Sequence, residues 1–353
     1  MLTAYVHPEE GGFLAHVPAV PGSAATGPTP ELAAAKARAI AREEAPIARE
    51  QGFPIPSLED GPTVQVTETC LLPGDVDPLS TDELPRWLAR LAWTRQRTLH
   101  LVGALSGEAI HRPREGVWSV AYALEHLAQV QGWAALHLGA WPPEPPGMLE
   151  MAAAALVQAL ERLDQPSLGR TTHHYGMDWT PRKVLRRSVE TIVDIQARVQ
   201  RLRRGAAVSP PGFYWDGCST QPQDRSPLSE VERAAGLEQL ASLLDEVRHA
   251  AGPVENMRPD ARRARDTLLR WLAGALWYYR TRLEPWPDDV FARLALTHAQ
   301  LTTRLASLGG SERAMVYWSF YGEPWTVRKL LRRQLEHERQ HFDQLRAWLA
   351  TTR

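Results

Sequence analysis

The stretch Tyr175–Glu190 (YGMDWTPRKVLRRSVE) returns 146 positions later as Tyr321–Glu336 (YGEPWTVRKLLRRQLE), with ten of sixteen positions identical. A match this dense at one fixed offset means that the chain carries one structural unit twice. The fold must therefore be one that two related halves can build. The duplication also permits a comparison inside a single chain. A chemically useful residue kept in one copy and lost from the other marks where the two diverge.

The apolar spacing of both halves is helical. Leu84–Leu105 carries Trp87, Leu88, Leu91, Leu101, Val102 and Leu105 at that spacing. Further helices are expected at Trp118–Leu138 behind Ser119 as N-cap, at Leu149–Leu163, and at Thr180–Leu202, where Thr180 caps and Pro181 takes the first helical position. The second copy predicts helices at Ser229–Ala250, Ala264–Leu283, Asp288–Leu308 and Thr326–Ala350. Four helices of this length in each copy suggest two four-helix bundles, at 80–205 and 228–353, joined by a Pro/Gly/Ser/Asp-rich linker at 206–227. Phe213, Tyr214 and Trp215 in that linker point to a segment packed on a bundle.

Residues 1–72 read differently. Two short β-prone runs, LTAYVH and GFLAHV, flank a PEEGG turn. An Ala-rich helix follows from Pro30 to Gln51 with Thr29 as N-cap, and Pro46 is expected to kink or end it early. TVQVTET then alternates as a strand. The fold class is thus mainly α, two bundles behind a small α+β domain.

Composition narrows the function classes. With a net charge of −1 and a pI near 6.9, nothing marks a nucleic-acid or anionic-membrane binder. The start lacks the pattern of a signal peptide, and no run of eighteen apolar residues occurs, so neither export nor a membrane span is expected. Cys70 and Cys218 form no CxxC pair and no disulfide framework, which fits a reducing, cytoplasmic setting.

The histidines carry the most chemistry. His337 and His341 stand at i, i+4 on the last helix, so both imidazoles share one face and could chelate a divalent transition metal. The interval His337-Glu338-Arg339-Gln340-His341 is literally HExxH. Its charged amphipathic context and the lack of a third-ligand signature argue against a zinc protease. The first copy has Thr191 and Ile195 at these positions, neither a substitute ligand. It has instead a lone His126 on its second helix, opposite Trp271 of the second copy. Three arrangements are open: a partly solvated histidine pair with no ion; an ion in the second bundle completed by Glu, Asp or water; and a composite site in which His126 reaches His337 and His341 across a bundle interface or by helix exchange.

The repeated W-T-x-R-K-x-L-R-R segment places cations at a helix N-terminus, against the macrodipole. Glu190 and Glu336, or carboxylates on neighbouring helices, are candidates to offset them. Arg182, Lys183, Arg328 and Lys329 could alternatively bind an anionic substrate or a thiol cofactor at a bundle mouth. The structural alternative is a salt-bridged motif that fixes the third helix to the fourth.

At these residues the chain resembles the DinB-like family of four-helix bundles, twice over. The resemblance rests on Trp118, Ser119 and His126 around the second helix and on WTxRKLLRRxxxHExxH opening the last. It implies a metal-dependent hydrolase or thiol S-transferase that uses zinc or nickel and a low-molecular-weight thiol. It also implies a metal site with one histidine from helix two and two from helix four. Read bundle by bundle, the first matches only His126 and the second only His337 and His341. That division favours a degenerate-site binding or scaffold protein with residual metal binding in the second bundle, the alternative being an active metal-dependent enzyme. Residues 1–72 resemble the HicB-like antitoxin domain, through YVHPEEGGFLAHVPAVPGSAATGPTPELAAAKARAIA, with Ser23 where that family usually has Cys. This resemblance implies a protein partner for residues 1–72. The two bundles are expected to form an intramolecular pseudo-dimer.

Overall fold

A computed structural model describes all residues except 1–2, 10, 59–62, 68–70, 113–117, 139–140, 175–176, 210, 212–218, 254–256, 320–322 and 351–353. Cys70, Cys218 and the linker aromatics Phe213, Tyr214 and Trp215 lie outside the described residues. The chain is mainly helical with a small N-terminal sheet. No helix among the described residues is long and apolar enough to cross a membrane.

The N-terminal region has strands β1 (Thr3–Glu9), β2 (Gly12–His16) and β3 (Ala24–Gly27), helix α1 (Pro30–Glu50) and strand β4 (Thr63–Val66). The sheet order is β3-β2-β1-β4, with β4 parallel to β1 and the other pairs antiparallel. One face of α1 is a row of alanines, Ala33, Ala34, Ala37, Ala41 and Ala45, fully buried against Ala4, Val6, Ala15 and Val17. Small side chains let the helix approach the sheet closely. Thr29 caps α1 by accepting from the Leu32 backbone N–H at 3.3 Å. Pro46 does not end the helix as the sequence suggested, for α1 continues to Glu50. Ala45 and Ala48 on either side are fully buried, so core packing outweighs the lost backbone hydrogen bond.

The following helices are α2 (Leu84–Val102), α3 (Gly107–His111), α4 (Val120–His137) and α5 (Pro145–Glu161). A ribbon of β5 (Thr172–His174) and β6 (Met177–Trp179) leads into α6 (Pro181–Arg203). The second half supplies α7 (Glu230–Ala251), α8 (Pro259–Thr281), α9 (Val290–Ser307) and α10 (Gly310–Arg313). The ribbon of β7 (Tyr317–Trp318) and β8 (Pro324–Trp325) then enters α11 (Val327–Ala350). The eight long helices of the repeats start and stop within a few residues of their expected positions.

Their grouping differs from the consecutive division 80–205 and 228–353. One compact unit holds 1–139 with 289–317 and 324–353, the other 140–288 with 318–323. In the first unit α4 packs on α9, and α11 packs on α2 and α4. Trp87, Leu91, Ala134, Leu138, Leu301, Leu305, Leu330, Leu331 and Leu335 share its core. In the second unit α5 packs on α8, and α6 on α7 and α8. Each four-helix group therefore takes its first two helices from one copy and its last two from the other. The α6–α7 crossing is close: a Cβ on Gly236 would meet Leu185 Cδ2 at 2.2 Å, so that side chain would have to shift.

The repeated motif explains the exchange. Thr326 caps α11 by accepting from the Lys329 N–H at 3.1 Å and donates its own hydroxyl to the Asp75 carbonyl. Arg332 closes on the Asp75 carboxylate with two bonds, Nε to Oδ1 at 2.9 Å and Nη2 to Oδ2 at 2.7 Å. Arg328 grips Glu83 with both nitrogens at 3.0 and 2.9 Å. The second unit repeats this. Thr180 donates to the Asp224 carbonyl at 2.6 Å, Arg186 clamps Asp224 at 2.9 and 2.7 Å, and Arg182 grips Glu232 at 2.8 and 2.7 Å. The last helix of each copy is thus anchored on the entry to the first helix of the other copy. The structural role expected for the motif holds, but its partner is the first helix rather than the third.

The N-terminal region shares the first unit. Buried Glu44 of α1 accepts from Arg90, Arg97 and Arg339 of α2 and α11. Fully buried His16 meets Glu336 through Nδ1 at 3.0 Å and His7 through Nε2 at 3.0 Å. Burial holds the His16 pKa below its ordinary value against the opposing pull of Glu336. This face of α1 and β2 is occupied by helices of the same chain.

Two outcomes follow. The chain split into separate polypeptides 1–214 and 215–353 is expected to co-purify as a one-to-one complex on size exclusion. Two independently folded monomers would show that the helices are not exchanged. The Arg328 guanidinium, helped by the Ser80 backbone N–H, holds Glu83 at about 2 against an ordinary 4.5. A depressed folded-state pKa gives stability that is complete above pH 4.5 and lost as pH falls toward 2. Glu83→Gln should therefore cost about 1–2 kcal/mol at pH 7 in urea titrations. That gap should shrink to less than half by pH 3.

Candidate metal centre

Helix exchange brings three histidines together inside the first unit. His126 sits on α4, one turn after Tyr122. The α4 N-terminus is fixed by Ser119, whose hydroxyl accepts from the Tyr122 N–H at 3.1 Å. His337 and His341 lie one turn apart on α11, whose register is set by the Thr326 cap and the Arg332 clamp. One ligand nitrogen from each of the three lies within 4.8 Å of the others. The ring centroids are 5.0 Å (His126–His337), 5.1 Å (His126–His341) and 4.6 Å (His337–His341) apart.

The donor chemistry suits a divalent transition ion. His337 Nε2 and His341 Nε2 are 3.2 Å apart. Two nitrogens at ordinary bonding distance from a tetrahedral zinc ion stand about 3.3–3.4 Å apart. Ligation needs neutral imidazoles, and the surroundings keep them so. Burial pushes His126 down to about 4. Burial, then the nearby His126, pushes His341 down to about 4. His337 is held well below the ordinary value by burial first, then by His341, His126 and Arg333.

Glu338, the acid of the literal HExxH, has another job. Its Oε1 accepts from Arg95 Nε of α2 at 2.9 Å and its Oε2 from Gln131 Nε2 of α4 at 3.3 Å. Arg95 also donates to the Leu294 carbonyl of α9 at 2.9 Å. This buried cross-brace ties all four helices of the first unit together beside the triad. A general base needs a free carboxylate oxygen, and both are spoken for.

The four cations considered for anion binding are turned to internal partners. Arg182 and Arg328 are held by Glu232 and Glu83. Lys183 is buried, donating to the Asp178 carbonyl and Thr220 Oγ1 and lying over the Trp179 ring at 4.3 Å. Lys329 does the same with the Pro324 carbonyl and Trp325 at 4.5 Å. In the second unit the positions matching His337 and His341 are Thr191 and Ile195. There Thr191 Oγ1 meets the Tyr279 hydroxyl at 3.0 Å in the interior.

Two features escaped the sequence reading. Tyr122 is one, and its signal was the i, i+4 spacing that puts 122 and 126 on one face of α4, where it meets Trp118, which the resemblance had named. The other is the pair of anchors: Asp224 lay in the segment read as a linker, and Asp75 between the expected domain at 1–72 and the bundle at 80–205. Their signal was a second repeat, P-x-D-x-x-P-L-S-x-x-E, at Pro73–Glu83 and again 149 positions on at Pro222–Glu232.

No match was found among curated proteins or among solved structures. The family model of the DinB superfamily matches residues 90–345, from within α2 to within α11 and so across His126, His337 and His341. With well over half its length matched, the chain belongs to the DinB superfamily.

Proposed function

We propose that the chain is a metal-dependent enzyme of the DinB-like class that holds one zinc or nickel ion at His126, His337 and His341. The observation that carries this is the convergence of three low-pKa imidazoles from distant parts of the sequence, with ligand atoms within 4.8 Å of one another. A divalent ion on three imidazoles supplies a Lewis acid with a coordination position left for substrate. The protein's own part is positional. The Arg95–Glu338–Gln131 brace holds α4 against α11 at the separation the three ligands require. The reaction class is hydrolysis or thiol S-transfer, and a thiol sulfur is a soft donor compatible with either ion.

The reading includes two exchanged DinB-like bundles of unequal role. The scaffold function applies to the second unit, where Thr191, Ile195 and Tyr279 leave no ligand set. The N-terminal domain braces α2 and α11 in the first.

Elemental analysis of purified protein tests the reading. About one zinc or nickel per chain is expected. His126→Ala, His337→Ala and His341→Ala should each weaken binding at least about 100-fold in competition with a chelator, more than the usual loss of an outer partner. Thr191→Ala should leave it unchanged. The His126 result is decisive for the composite arrangement, because a site confined to α11 would not need it. Metal-free protein from zinc- and nickel-supplemented growth, with no uptake on titration, would remove the proposal.

A further inference from the structure

An exposed indole touches two of the three candidate ligands. Trp118 leaves 45 % of its surface in solvent and Tyr122 leaves 36 %. The Trp118 ring lies nearly parallel to that of His341, with centroids 5.6 Å apart and planes at 17°. It meets His126 edge-on at 5.0 Å and 64°, and Tyr122 edge-on at 4.7 Å and 68°. Large aromatics ordinarily bury their area in a core, as Trp87, Trp179 and Trp325 do in this chain. Trp118 is held out instead by the Ser119 cap that begins α4 directly after it. The two rings together form an apolar surface that runs from solvent to the imidazoles.

We propose that Trp118 and Tyr122 form the substrate shelf of the metal centre. The substrate class is a small molecule with a flat apolar group next to the heteroatom that reaches the ion. This rests on the metal-binding reading above and adds a specificity to it. A shelf of this kind favours substrates by ring stacking and by removing apolar area from water, neither of which needs a charge. Arg333, the cation that acts on His337, is already committed to Glu336 at 3.3 Å.

The test uses the full chain loaded with cobalt(II), whose visible absorption reports a ligand entering the ion's coordination sphere. Imidazole and 4-phenylimidazole present the same donor atom and differ only in the flat apolar group. The phenyl compound is expected to bind about tenfold more tightly than imidazole. In Trp118→Ala the ratio should fall close to one while cobalt is retained, and in Tyr122→Ala it should fall to about threefold. Equal affinities in the unaltered chain, or an undiminished ratio in cobalt-loaded Trp118→Ala and Tyr122→Ala, overturns the shelf. Failure of the unaltered chain to take up cobalt overturns the metal reading itself, and the spectrum separates that result from the others.

Discussion

The clamp of Arg332 on Asp75 is the interaction on which the arrangement of the first unit depends. It joins the beginning of α11 to the segment that leads into α2, more than 250 residues earlier in the chain. Apolar burial supplies most of the stabilisation. Leu330, Leu331 and Leu335 are fully buried, at roughly 1.5–3 kcal/mol each. Yet burial is non-directional, and α6 presents a similar amphipathic face with the same motif. A buried ion pair adds little net stability over an apolar pair, but leaving one partner unpaired costs several kcal/mol. Such a pair works as a selector. It penalises any arrangement in which Arg332 or Asp75 lacks its counterpart. The bidentate geometry, with Thr326 donating to the backbone of the same aspartate, fixes rotation and depth as well as proximity.

That fixed rotation turns a divided set of histidines into a site. His337 follows Arg332 by five residues and His341 by nine, so the clamp sets which face of α11 meets α4. With the helices exchanged, the histidine of one copy and the pair of the other belong to the same four-helix group. The family match obeys the same logic. It begins in α2 and ends in α11, the first and last helices of that group. The stretch between residues 140 and 288 then stands as a second group inserted into the chain of the first.

Local rules made the helices and their caps legible. Thr29, Ser119 and Thr180 cap the helix starts where their side chains predicted them. The candidate ligands were legible as well, because histidine at i, i+4 on an amphipathic helix has few structural uses. The pairing of helices was not. Sequence order favours neighbours, and nothing in an amphipathic stripe names its partner. The information lay in Asp75 and Asp224, inside Pro-containing segments outside the expected helices. Without them the motif's cations looked available for a ligand. With them, Arg332 and Arg186 are paired, and Arg328, Arg182 and the two lysines turn to partners on the same entry segments and ribbons.

The inequality of the two units follows from the duplication. A symmetric assembly of identical copies would carry two equivalent sites, and a change in one copy would appear in both. Fusion into one chain removes that coupling. The scaffold half of the motif, the Thr–Asp, Arg–Asp and Arg–Glu contacts, is needed by both units, and both keep it at matching distances. The ligand half differs between them. In the second unit Thr191 and Tyr279 close the equivalent interior with a hydroxyl pair. In the first, three imidazoles occupy a partly buried site beside an exposed aromatic face. Desolvating three basic rings opposes their protonation and carries a cost that a simple scaffold would shed by substituting apolar residues. The second unit has replaced its imidazole positions with Thr191 and Ile195, and the first has kept all three rings.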